Sequence, residues 1–271
     1  MGKKENLYIK EFVDYYIKLG VNHLFIYDHN DPNTEKMSDV INNTYEKYVT
    51  IYENRDLIRS QSAAFTNCYH THMTKFNWFI MFDMDEYLYI VNDTLKNYLS
   101  NSVFDKCDFI KLHWVLPTDN NLLHYDPRPL FVRFKGPYVK YMFIKSIIRG
   151  NISDLKYWVH SPFISPTRNI TCNNEGKKIF YKNINFELLK PINTNKAYII
   201  HYRYKSTEEF INKYKRGYSN WFGNRIGSFL ENCIKDYFHD NEITLEKINY
   251  MEKELKIDLY KYKLKLKFKT K

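Results

Sequence analysis

The feature that most constrains the fold is an oily pentapeptide that ends in acid: Trp78-Phe79-Ile80-Met81-Phe82 runs straight into Asp83-Met84-Asp85-Glu86. A short, continuous apolar run of this kind reads as a strand buried on two faces, which belongs to a sheet covered by helices. Acids gathered at the end of such a strand repel one another and lose hydration, so a cation or hydrogen-bond donors must stand beside them. Hard carboxylate oxygens suit Mg²⁺ or Mn²⁺ carrying a phosphate-bearing substrate. Taken alone, Asp-x-Asp is also the pattern of a solvated acidic turn.

The flanking segments extend this reading. Ile9, Phe12, Val13, Tyr16 and Ile17 share one helical face, with Gly20 just beyond it as a cap. Residues 23–27 read as a strand that ends in the turn-forming run 28–33, residues 34–48 as a helix, 49–52 as a strand and 60–75 as a helix. This alternation predicts an α/β sheet with parallel strands and ligand chemistry at their carboxyl ends. Past a short helix over 93–98, strands with long polar connections are expected at 109–115, 129–134, 142–149, 156–159 and 197–202. Helices return at 207–215, 226–238 and 244–255, and the change of pattern near residue 116 marks a boundary.

Composition removes several classes. At 44% hydrophobic, 18% aromatic and 27% charged over 271 residues, the chain is globular rather than disordered. Only 8 Gly and 8 Pro exclude collagen-like and Gly-punctuated repeat designs. No apolar run reaches the ~18–20 residues of a membrane span, and Met1-Gly2-Lys3-Lys4-Glu5 leads into an amphipathic helix instead of a signal-peptide core. A cytoplasmic or peripheral membrane location is therefore expected. Cys68, Cys107, Cys172 and Cys233 form no Cys-x-x-Cys, so reduced structural thiols are expected. The net charge of +10 reads most simply as the codon bias of a low-GC genome, and more sharply as attraction to phosphate-bearing partners. In the tail, lysines from Lys261 to Lys271 alternate with Tyr262, Leu264, Leu266 and Phe268, which suits a peripheral membrane contact or a frayed terminus; nucleic acid is the disfavoured partner. Asn-x-Ser/Thr triplets begin at Asn42, Asn92, Asn151 and Asn169, as an Asn-rich chain produces by chance.

Two enzyme classes use an acidic turn after a strand. In haloacid-dehalogenase-type phosphatases the first Asp is the nucleophile, but Tyr87 stands where a Thr or Val is usual. In nucleotide-sugar glycosyltransferases the acids hold the metal that bridges the sugar diphosphate. Glu5-Asn6-Leu7-Tyr8-Ile9-Lys10-Glu11-Phe12-Val13, Leu19-Gly20-Val21, Ile26-Tyr27-Asp28, Phe82-Asp83-Met84-Asp85-Glu86-Tyr87, and His201-Tyr202 with Lys205-Ser206-Thr207-Glu208-Glu209-Phe210 and Lys213-Tyr214-Lys215-Arg216-Gly217 occur in this order. Together they resemble glycosyltransferase family 92 and its family-2-like relatives.

The resemblance implies a GT-A-like, Rossmann-related mixed sheet flanked by helices. It implies transfer of a sugar from a nucleotide-diphosphate donor to a glycan or other hydroxyl acceptor, with inversion. Residues 1–115 would be the nucleotide-sugar-binding half, 116–225 the acceptor and catalytic half of the same domain, and 226–271 C-terminal helices and the basic tail. By the same resemblance Asp83, Asp85 and His201 would hold Mn²⁺ or Mg²⁺, with Glu86 assisting or capping the turn, and Asp119 would be the catalytic base. The bland readings beside these are a strand histidine satisfied by a neighbour and a loop aspartate in an Asx-turn. Asp28 and Gln61 are expected at the base or ribose, and Lys145, Arg149, Lys205 and Arg216 at the diphosphate. His160 ranks below His201 as a metal ligand. Relatives begin with a hydrophobic strand that is missing here, so the sheet is expected to lack its first strand. A non-catalytic glycan- or nucleic-acid-binding descendant and the phosphatase are the alternatives.

Overall fold

The computed structural model describes residues 1–41, 43–54, 61–158, 160–162, 169–180, 188–215 and 226–259, with the backbone alone over 226–230. Two compact units result: Met1–Val115 with Lys140–His201, and Leu116–Val139 with Tyr202–Lys271. The stretch expected to form one acceptor half, 116–225, is thus shared between them.

In the first unit, α1 (Asn6–Leu19) buries Tyr8, Ile9, Phe12, Val13 and Tyr16 at helical spacing and stops at Gly20, whose φ of 98° directs its N–H back to the last carbonyls. Strand β1 (Leu24–Asp28) pairs in parallel with β2 (Val49–Glu53). The helix expected over 34–48 is reduced to α2 (Met37–Val40) and a 3₁₀ turn, Asn43–Tyr45. Short polar side chains in this stretch compete for the backbone and favour turns.

Next come α3 (Gln61–His72), β3 (Trp78–Ile80), the acidic turn, and β4 (Glu86–Ile90), a strand that sequence reading missed. Thr94 caps α4 (Leu95–Leu99) by accepting from the Asn97 N–H. Strand β5 (Phe109–Pro117) is buried along its whole length. In the second unit, the strand expected over 129–134 is instead the single-turn helix α5 (Leu130–Arg133), with Pro129 at its N-cap; a fixed proline φ suits a helix start better than a strand.

The first unit resumes at Lys140, within β6 (Tyr138–Arg149), and continues through β7 (Thr171–Asn173) and β8 (Ala197–His201). The six-stranded sheet runs β3-β6-β5-β8-β4, with β7 added on β5. Strands β3 and β6, and β4 and β8, are antiparallel, whereas β5 is parallel to β7 and β8. The sheet is therefore mixed, as the resemblance implied, and not the parallel sheet that alternation alone suggests. The strand expected over 156–159 is a single bridge, Tyr157 to Pro162, and Val159 lies outside the described residues.

Helix α1 protects the edge of β4. The Tyr16 hydroxyl accepts from the Leu88 N–H at 3.0 Å and donates to the Glu86 carbonyl at 2.9 Å, and the Tyr15 hydroxyl donates to the Leu88 carbonyl at 2.6 Å. Backbone groups that would otherwise stand unpaired are met by tyrosines.

The expectation of four reduced thiols is corrected. Cys107 and Cys172 form a disulfide across 65 residues, because the parallel pairing of β7 with β5 carries them to a Cα separation of 5.9 Å. Cys68 and Cys233 are free and buried. In the second unit, α6 (Thr207–Lys215), α7 (Ile226–Asp240) and α8 (Leu245–Leu255) follow their expected positions closely. Among the described residues no helix is long and apolar enough to cross a membrane. The basic tail, 261–271, lies outside the described residues.

Candidate functional site

The acidic turn is tight. The Glu86 N–H donates to the Asp83 carbonyl at 3.1 Å, and the Asp83 N–H donates to Glu86 Oε2 at 3.0 Å. Lys145, fully buried on β6, reaches under the turn: its Nζ is 2.9 Å from Asp83 Oδ2 and 3.3 Å from Glu86 Oε2. Gln61, at the start of α3, donates to Asp83 Oδ1. Asp85 turns to another partner, its Oδ2 lying 3.5 Å from Nε2 of His201. Register explains that meeting, since His201 stands opposite Glu86 across β8 and β4.

Burial and charge compete here. Burial would raise the Asp83 carboxyl, but the Lys145 ammonium outweighs it and holds the group below its ordinary range. Glu86, fully buried, is pushed up to about 8 by burial against the pull of Lys145. Burial alone would lower Lys145, yet Asp83 and Glu86 hold its proton more tightly than usual. The buried Met1 amine is lowered by burial, with Asp83 pulling the other way.

An aromatic group adjoins this cluster. Trp114 of β5 stacks on Phe143 of β6, centroids 5.4 Å apart, and meets the rings of His160 at 5.2 Å and His201 at 4.4 Å in edge contacts. Burial, helped by Lys145, drives the His160 imidazole down to about 3, so it is neutral at physiological pH.

Of the expected site residues, the fold brings together Asp83, Asp85, His201, Lys145 and Gln61. Asp28 is fully buried and its two oxygens accept from the backbone of Asn30 and Met37, each at 2.9 Å. Arg149 lies over Trp78 at 4.2 Å and donates to the carbonyls of Phe104, Asp105 and Cys107. Lys205 belongs to the second unit, with a left-handed φ of 58° just ahead of α6, and Arg216 lies outside the described residues. Asp119, also in the second unit, is 1% exposed. Its Oδ2 meets Lys247 Nζ at 2.6 Å and the Tyr237 hydroxyl, and its Oδ1 accepts from the Asn121 N–H at 3.0 Å in an Asx-turn.

Sequence reading missed Trp114 and Tyr157. Nothing local marks either: Trp114 looks like one more apolar residue of a buried strand, and Tyr157 is one of 25 tyrosines.

The sequence profile of glycosyltransferase family 92 matches residues 1–259 of the 271. None of the curated proteins matches the chain.

Proposed function

The chain belongs to glycosyltransferase family 92, and we propose that it moves a sugar from a nucleotide-diphosphate donor to a hydroxyl of a glycan or similar acceptor, with inversion at the anomeric carbon. The observation that carries this reading is the split within the acidic turn. Asp83 is neutralised by a buried lysine, while Asp85 pairs with His201.

Among the described residues no three His, Cys, Asp or Glu side chains are grouped to hold a metal. Asp85 and His201 nevertheless fit one that arrives with its substrate. One carboxylate and one imidazole suit Mn²⁺ better than the all-oxygen set Mg²⁺ prefers, and the diphosphate would supply further oxygens. Bound there, the cation would offset the charge that develops on the departing diphosphate. Asp83 keeps its charge through Lys145, and its side chain is still 29% exposed, so it is a fixed acceptor for a donor hydroxyl. For Asp119 the contacts support a structural role. A carboxylate neutralised by Lys247 and bonded by Tyr237 is poorly placed to take a proton from an acceptor.

The finer fold reading, a GT-A-like sheet short of one strand, is supported by a cavity of about 880 Å³ lined by Leu24–Tyr27 of β1 and Trp78–Met81 of β3 and its continuation. Gly2 bridges in parallel to Asp28, the last residue of β1. The disulfide supports folding in an oxidising compartment over the cytoplasm. Membrane contact through residues 261–271 would be read by binding to anionic vesicles.

The test is a panel of UDP- and GDP-sugars with Mn²⁺, following nucleotide release and donor-induced thermal shift. Release of nucleotide from a sugar donor supports the reading, and a shift without turnover identifies the non-catalytic alternative. The absence of both shift and release with every donor overturns it.

A further inference from the structure

Several polar atoms beside the acidic turn are buried and have no hydrogen-bond partner among the described residues: Trp114 Nε1, His160 Nδ1, Tyr157 Oη and Glu86 Oε1. A buried donor left unmet carries its full desolvation penalty, so such a cluster marks where a ligand or an ordered water completes the site. Trp114 is the most informative. It is 7% exposed, and its indole N–H can only donate. Its ring is fixed between Phe143 and the edges of His160 and His201, and His201 in turn meets Asp85.

We propose that Trp114 and His160 form the subsite for the sugar ring of the donor, Trp114 Nε1–H donating to one pyranose hydroxyl and His160 Nδ1 bonding a second. The assignment rests on the glycosyltransferase reading above and gives that site its sugar contacts. A pyranose fits on three counts. Its hydroxyls both donate and accept, so one ring can meet an indole N–H and a neutral imidazole together. Its apolar C–H face matches the aromatic wall of Trp114 and Phe143. Resting on Trp114 it would stand beside His201, whose ring is 4.4 Å from the indole, and so beside Asp85. Phe143 and His160, which flank the indole, are only half-buried.

The experiment titrates the full chain, in Mn²⁺, with UDP, UDP-glucose, UDP-galactose and GDP-mannose, comparing wild type with Trp114→Phe and His160→Phe. Each variant keeps an aromatic ring and removes the polar atom. The wild type should bind one of these sugar donors more tightly than the matching nucleotide diphosphate. Each variant should weaken that donor about tenfold, the loss of one hydrogen bond to a buried group, and leave the nucleotide diphosphate within about twofold. Retained binding of the diphosphate also reports that the variant is folded. Equal weakening of donor and diphosphate, or no change in either, overturns the subsite while the parent reading stands. No binding of any probe by the wild type overturns the parent reading and the subsite with it.

Discussion

Lys145 and Lys111 are two fully buried lysines in the same unit with opposite surroundings. Lys145 has Asp83 and Glu86; Lys111 Nζ has the hydroxyls of Ser146 at 2.8 Å and Ser161 at 2.5 Å. Removing one partner of a buried ion pair strands the other charge, so Lys145→Met should cost about 3–5 kcal/mol of stability by denaturant titration. Lys111→Met removes a charge whose burial is unpaid by any carboxylate in its hydrogen-bond set, and should cost little or stabilise. Burial lowers the Lys111 ammonium from 10.5 to about 7. The unfolded chain then holds one more proton than the folded one between those values. Stability should therefore rise with pH from about 7 to about 10.5, and Lys111→Met should flatten that slope in urea midpoints taken across the window. The acidic turn itself was legible because Asp83 and Asp85 interrupt an oily strand. Lys145 as its counter-ion was not, because nothing in a strand sequence tells which lysine 62 residues away will face inward.

At the scale of elements, the long helices were legible and the short ones were not. The apolar stripe of α1 with Gly20 behind it, and Thr244 ahead of α8, are signals carried by the segment itself. Strand β4 was hidden because the acids before it drew the reading toward a loop, although Glu86-Tyr87-Leu88-Tyr89-Ile90 pairs along its length with β8. The disulfide was hidden for a related reason: sheet pairing, not spacing, brings Cys107 to Cys172. Under denaturing, non-reducing conditions, alkylation read by mass spectrometry should label Cys68 and Cys233 and spare Cys107 and Cys172. Labelling of all four would remove the bond. Cys107→Ser with Cys172→Ser should lower stability by about 2–5 kcal/mol, since the bridge closes a long loop of the unfolded chain.

At the scale of the whole molecule, the two units have separate electrostatic anchors. The first is built on Lys145 and the acidic turn, the second on Lys247 and Asp119, whose side chains are 3% and 1% exposed. Asp119→Asn should accordingly destabilise the protein, by about 3–5 kcal/mol, as a broken buried pair does. A general base would behave differently: turnover would fall with stability unchanged. Which acids lie near one another within a unit followed from strand register, which no single sequence displays, whereas membership of a transferase family was legible in motifs spread from Glu5 to Gly217.

The central claim, that Asp85 and His201 hold a donor diphosphate through a divalent cation beside a lysine-neutralised Asp83, is tested most directly by calorimetric titration of UDP and GDP with and without Mn²⁺. Wild-type protein should bind one of them only when Mn²⁺ is present, and Asp85→Asn and His201→Ala should each abolish that dependence while keeping a cooperative melting transition. Binding that is equally tight in chelator, or that survives intact in both variants, would contradict the account.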